Sequence, residues 1–369
     1  MRIREILFGI LIGLVSMAPV LGQRPEQTAD PKRTPGVSGT ADPNRASFLA
    51  AAGCKSSPPE QAPVTLPSDV PFVNVATKEI PGVVAAGLHW KTLWEQPGNA
   101  DGIVGFDDGS VWIPVVEHSN VVRIDNRGKA SVIYNDTYAG GALAANANGQ
   151  VFIAERALNT AVWILKPGRK LLANTIKGEP FECSGRFIND IAADNQGGVY
   201  MAMDRIYYIN PEGVVIGPLS SVAGNGLILS PDEKTFYTTG RLASAGGPAD
   251  GGNAVTQGLV AYDVEPDGSL THERQFADIC SDGLAVDAEG RIYCAEAEIS
   301  DPANPAKGIV GIGVVSPEGK TLGVIPQPRR LVTLAFGGPD KKTLFAEGSR
   351  PIQVVSLPMI AQGNKTRPK

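Results

Sequence analysis

Residues 282–296 read DGLAVDAEGRIYCAE, and their plan decides the fold. A small polar pair, Asp282-Gly283, precedes a short apolar run, Leu284 to Val286. A turn rich in acidic residues and glycine follows, and then a second apolar run from Ile292. Two short strands joined by an Asx/Gly turn form a hairpin. The same plan recurs five more times. It appears as DGIVGFDDGSVWI from Asp101, GALAANANGQVFIAE from Gly141 and NDIAADNQGGVYMA from Asn189. It returns as NGLILSPDEKTFYTT from Asn225 and TLAFGGPDKKTLFAE from Thr333. The starts lie 40, 48, 36, 57 and 51 residues apart, and a strand-built period of this size predicts propeller blades.

Outward from each hairpin comes a third apolar run: NVVRID, AVWIL, RIYYIN, GLVAYDV, GIGVVS and PIQVVSL. Turns such as Asn126-Arg127-Gly128, Pro167-Gly168 and Glu318-Gly319 then lead to a fourth strand in most units. The expected fold is all-β, a six-bladed β-propeller of four-stranded antiparallel blades over residues 83–360, with a C-terminal tail at 361–369. The sixth unit ends after its third strand, near Leu357. Its fourth is expected from the segment before the first repeat, His89 to Gln96, closing the ring and removing open sheet edges. Composition agrees. Gly (43) and Pro (29) make up about a fifth of the 369 residues, which suits many tight turns. The net charge of -5 and the lack of a basic cluster exclude a typical nucleic-acid binder.

The N-terminus reads as an address. Arg2 and Arg4 precede an apolar run from Ile6 to Leu21, ending at Val20-Leu21-Gly22. The run is short for a membrane span and fits a secretory signal peptide over residues 1–22, hence a secreted or periplasmic protein. An uncleaved N-terminal anchor is the alternative. Residues 23–82 carry ten prolines and sustain no hydrophobic period, so a disordered tether is expected. Within it, Ala51-Ala52-Gly53-Cys54 looks like a bacterial lipid-attachment box, though it lies far from the N-terminus.

In a propeller the innermost strands all start at one end of the central channel. The first residues of the six units therefore form a ring: Asp101, Gly141, Asn189, Asn225, Asp282 and Thr333. Two carboxylates and two amides converge, and a divalent cation on the axis would relieve the repulsion between the carboxylates. Oxygen donors suit calcium or magnesium, and the absence of His and Cys from the ring argues against a closed structural zinc site. Singly, such Asx-Gly pairs also cap tight turns. Four in register favour the metal, with Asp101, Asn189, Asn225 and Asp282 as ligands.

These stretches also carry a resemblance. GNGLILSPDEKTFY, GLVAYDVEPDGSL, DGLAVDAEGRIYCA and LAFGGPDKKTLF resemble the gluconolactonase/regucalcin-like (senescence marker protein) family of six-bladed propellers. The similarity implies a cation at the channel mouth, with the family's Asn-Asp, Asn-Gly and Asp-Gly motifs falling on Asn189-Asp190, Asn225-Gly226 and Asp282-Gly283. The family's Glu-Gly falls on Asp101-Gly102, one methylene shorter. A substrate-contacting Arg, usual two residues before the Asn, is matched by Arg186 three before Asn189, with Phe187 and Ile188 between.

The resemblance implies metal-dependent hydrolysis of a small lactone or related ester, calcium first, with magnesium, manganese or zinc as alternatives. Asp282 or Asp101 would accept the proton of the attacking water. Arg186 and Asn189 would contact substrate; His118, after the second strand of the first unit in VVEHSN, is a further substrate-contact candidate, although its stronger reading is a solvated turn residue. A non-catalytic, metal-braced binding platform is the alternative, since fold does not fix function. Glu155 and Glu296, at the ends of second strands, either line the pocket or sit on loops, and the loop is the expected place. The four cysteines permit three disulfide pairings; Cys183 and Cys280 are expected near each other, and Cys294 as a small buried hydrophobe.

Overall fold

In the computed structural model, residues 45–54, 74–248, 257–301, 304–349 and 351–364 are described. Each repeat forms one four-stranded antiparallel sheet, and the six sheets are the blades of a propeller. Blade 1 runs through Val104–Gly105, Val111–Val115, Asn120–Ile124 and Ala130–Tyr134. Blade 2 has Gly140–Ala145, Val151–Glu155, Ala161–Lys166 and Lys170–Ala173. Blade 3 has Ile191–Ala193, Val199–Ala202, Ile206–Ile209 and Val215–Ile216. Blade 4 comprises Leu227–Leu229, Thr235–Thr239, Leu259–Val264 and Leu270–Ala277. Blade 5 comprises Leu284–Val286, Ile292–Asp301, Asn304–Val315 and Thr321–Pro326.

Blade 6 is built from both ends of the repeat region. Thr333–Gly337, Thr343–Gly348 and Ile352–Pro358 come from the C-terminal side, and Lys91–Gln96 supplies the outer strand. Its register runs antiparallel from Lys91↔Ser356 to Gln96↔Ile352. The expected closure is present.

The core lies between blades. Six apolar clusters each join two neighbours, as when Tyr200 and Ala192 of blade 3 meet Phe236 and Leu227 of blade 4. Alternation within each strand sends side chains to both faces, and each face meets the next blade, so the inner strands are buried at nearly every position. Backbones approach closely at the axis. A Cβ on Gly226 of blade 4 would lie 2.4 Å from the main-chain oxygen of Asp282 in blade 5, so only glycine fits there.

At the far end of the inner strands the hairpin turns are closed by their own side chains. Asp194 Oδ1 accepts from the amides of Gln196 (2.9 Å) and Gly198 (2.7 Å), and Oδ2 accepts from the Tyr208 hydroxyl at 2.6 Å. Asp287 repeats the device in blade 5. The Asp in these turns is thus an acceptor that spares buried amides from going unpaired.

The domain limits differ from the sequence expectation. Asn74 already belongs to the propeller, its side chain bonding the main chain of Trp90, and Ile80, Val83 and Val84 are core residues. At the other end Met359 and Ala361 are also core, and Gly363 bridges to Asp287, so the tail is bound as far as Asn364. The segment expected to be a disordered tether contains a helix, Arg45–Ala52, with Leu49 buried. Its short alanine-rich run favours helix, and Cys54 just beyond it is disulfide-bonded to Cys183. The second disulfide is Cys280–Cys294. Cys183 and Cys280 are therefore not partners, and Cys294 is buried as a half-cystine. The signal peptide, its cleavage point and the alternative anchor lie outside the described residues.

Candidate metal centre

The inner strands start where the repeat register places them, and the residues just before them meet at one mouth of the channel. One depression is lined by Asp101, Asn189, Asn225, Asp282 and Thr333, together with Asp190, Gly226, Gly283 and Val332. The four oxygen-bearing residues expected to hold a cation thus share one wall.

Their bonding separates them. Asp190 is structural: Oδ1 accepts from the amide of Ile191 at 2.8 Å, and Oδ2 from that of Leu227 at 2.9 Å, tying blade 3 to blade 4. Asn225 donates through Nδ2 to the Ser281 carbonyl at 3.2 Å, which leaves its own oxygen as the acceptor. Asp282 accepts only the amide of Gly283, at 3.1 Å, among its hydrogen bonds. Burial pushes the Asp282 carboxyl well above the usual carboxylate range. The charges of Asp101, Glu296 and Asp190 add to the push, against the pull of Arg330. A buried carboxylate facing like charges is held by a field that a divalent cation would reverse. The donor set is therefore chemically fit for a hard cation.

One cation is already built in. Arg156, which follows the second strand of blade 2, is 4% exposed. Its Nη1 lies 2.8 Å from Asp101 Oδ2, Nε donates to the Ile188 carbonyl at 2.8 Å, and Nη2 donates to the Asn189 carbonyl. The Phe187 ring lies 5.3 Å below the guanidinium. This explains the glycine at the ring position of blade 2: a Cβ on Gly141 would fall 2.1 Å from Arg156 Cζ. The sequence signal was present, a bare ring position paired with an Arg after the second strand of the same blade, but only the fold connects them.

Arg186 does not line the depression. It sits half-buried after the 3-10 turn Phe181–Ser184, with its amide bonded to Ser184. Ile188, one of the two residues between Arg186 and Asn189, is fully buried in the interblade core. His118 is exposed at the end of the 3-10 turn Val116–His118 and does not line the depression either. Glu155 and Glu296 are not loop residues in solvent. Glu155 is fully buried and ion-paired with Arg169 at 2.7 Å, and Glu296 is ion-paired with Arg330. A further carboxylate at the corresponding strand end of blade 6, Glu347, is also fully buried.

Solved structures of similar fold include a gluconolactonase from Xanthomonas campestris. It is 19% identical, with a TM-score of 0.56, over 74% of this chain and 90% of that one. A putative gluconolactonase is 17% identical with a TM-score of 0.60, over 78% and 99%. A calcium-binding protein, regucalcin, from Agrobacterium tumefaciens is 18% identical with a TM-score of 0.56, over 82% and 99%. At these identities the likeness shows the fold. No curated protein sequence matches the chain. The family model described as the SMP-30/gluconolactonase/LRE-like region matches residues 132–347, more than half of the sequence, and the chain belongs to that family.

Proposed function

We propose that this protein is an exported metal-dependent hydrolase of small lactones or related esters, with its reaction centre at the channel mouth. The observation that carries the reading is the shared wall of Asp101, Asn189, Asn225 and Asp282 around one depression, in a member of a family that includes gluconolactonases. These four residues would hold the cation, calcium first because every donor is oxygen, with magnesium, manganese or zinc as alternatives. A bound divalent ion there supplies Lewis-acid polarisation of a carbonyl and a more acidic water.

The chain's own groups divide the remaining work. Asp282, with one hydrogen bond and a raised pKa, is the base that takes the proton of the attacking water. Asp101 is less suited to that task, since Arg156 occupies its Oδ2. The acyl C–O bond breaks as the water oxygen adds, and the proton held on Asp282 passes to the departing alkoxide, leaving a hydroxy acid. Asn189 bounds the same space as substrate contact, whereas Arg186 and His118 are set back from it.

The Arg156–Asp101 pair favours one competing reading, a non-catalytic platform whose ring is braced without turnover. Metal analysis of the purified protein, then a lactone and ester panel with calcium or chelator, separates the two. Calcium-dependent turnover that falls at least about 100-fold in Asp282→Asn supports the hydrolase. Cation binding with no turnover by the wild type on the whole panel supports the platform.

A further inference from the structure

Glu347 is the penultimate residue of the second strand of blade 6, and neither of its carboxylate oxygens has a hydrogen-bond partner although the residue is fully buried. A buried unpartnered carboxylate is costly, and native structures keep one when something outside the polypeptide completes it. Its position points to the ring. Thr333, a wall residue of the depression, is its cross-strand partner, and directly paired residues of an antiparallel ladder project to the same face. Thr333 Oγ1 lies 2.9 Å from where a Cβ on Gly283 would stand, beside Asp282. Burial pushes the Glu347 carboxyl well up. The charges of Asp101 and Asp282 also reach it and add to that push, with the field of Arg329 opposing.

Charge matching completes the argument. Arg156 is ion-paired with Asp101, and Arg330 with Glu296. Asp190 is spent on two main-chain amides, which leaves, among the described residues, Asp282 with one hydrogen bond and Glu347 with none. Together they carry the two negative charges that a divalent ion needs, one of which Arg156 has withdrawn from Asp101. We propose that Glu347 is a further carboxylate ligand of the ring cation, replacing the charge that Arg156 takes from Asp101. This rests on the reading of the ring as a cation site.

The test is calorimetric titration of the chelator-stripped full chain with calcium chloride, comparing wild type, Glu347→Gln and Asp282→Asn. Glu347→Gln is expected to weaken calcium binding at least about tenfold, because ligand charge sets hard-cation affinity. Terbium luminescence lifetimes in light and heavy water should then report one more coordinated water than in wild type. The melting temperature of Glu347→Gln in chelator should equal or exceed that of wild type, since the change removes a buried charge. If Glu347→Gln does not fold, Glu347→Asp serves, with an intermediate affinity and the same added water. Unchanged affinity and water count in either folded variant, while Asp282→Asn loses binding, would overturn the role of Glu347 and leave the ring standing. A wild type that binds no divalent cation would overturn the ring itself.

Discussion

Asp282 and Asp287 stand at opposite ends of one three-residue strand, Leu284–Val286, and both are buried. Asp287 is saturated by the chain. Its Oδ1 accepts from the amides of Glu289 (3.0 Å) and Arg291 (2.9 Å), and its Oδ2 from Arg291 Nε (2.6 Å) and the Tyr293 hydroxyl (2.9 Å). Asp282 accepts one hydrogen bond and faces Asp101, Glu296 and Asp190. The same residue type, five positions apart, is a structural keystone at one end of the channel and an unsatisfied donor of charge at the other. Burial alone therefore does not mark a functional carboxylate; the ratio of hydrogen-bond donors to like charges does.

The contrast is tested hardest by removing the satisfied partner. Asp287→Ala leaves Arg291 Nε, the Tyr293 hydroxyl and the turn amides of Glu289 and Arg291 without their acceptor and should cost about 3–5 kcal/mol in urea unfolding, equally with calcium or chelator. If that cost depends on calcium, the two ends are not independent and the comparison fails. Gly141→Ala comes next. Its Cβ would meet Arg156 Cζ at 2.1 Å, forcing the guanidinium off Asp101, for a loss of about 1–3 kcal/mol. Calcium binding should tighten as stability falls, since Asp101 regains its charge; titration calorimetry on the same samples would expose the opposite result.

The smallest effect is the pH dependence of the chelator-treated protein. Asp282 and Glu347 have folded-state pKa values raised above their ordinary 3.8 and 4.5, so the folded state favours their protonated forms. That contribution to stability is fully present below the unfolded values and is lost as pH rises through the raised folded ones. Melting temperature in chelator should accordingly decline with pH above about 5, and calcium should flatten the decline. A profile that rises over this range, or one that Asp282→Asn leaves unaltered, would show that these carboxylates do not set it.

The satisfied end was the more legible in sequence. Asp194 and Asp287 sit in turns whose donors lie two and four residues away, so local spacing declares them. The ring residues were legible for another reason: equivalent positions in equivalent blades must meet. What no repeat announced is a residue that departs from its own equivalents. Arg156 fills the space left by Gly141 in its own blade and bonds to Asp101, Ile188 and Asn189 of the neighbouring blades, and Ile188 enters the core between blades 2 and 3. Disulfide pairing was open for a combinatorial reason, since four cysteines allow three sets. The chain adopts Cys54–Cys183, across 129 residues, and Cys280–Cys294, across 14.

The blade-6 pairing of Lys91 with Ser356 spans 265 residues, and this sets a schedule for the nascent chain. During synthesis Lys91–Gln96 waits without a sheet while five complete blades emerge, and the ring shuts only when the last repeat arrives. Long-range closure of this kind is slow, and until it happens blade 6 lacks its outer strand and the interblade faces stay exposed. Handling between ribosome and final ring is thus part of this protein's biology, and truncation near the C-terminus should yield aggregates rather than a five-bladed remnant.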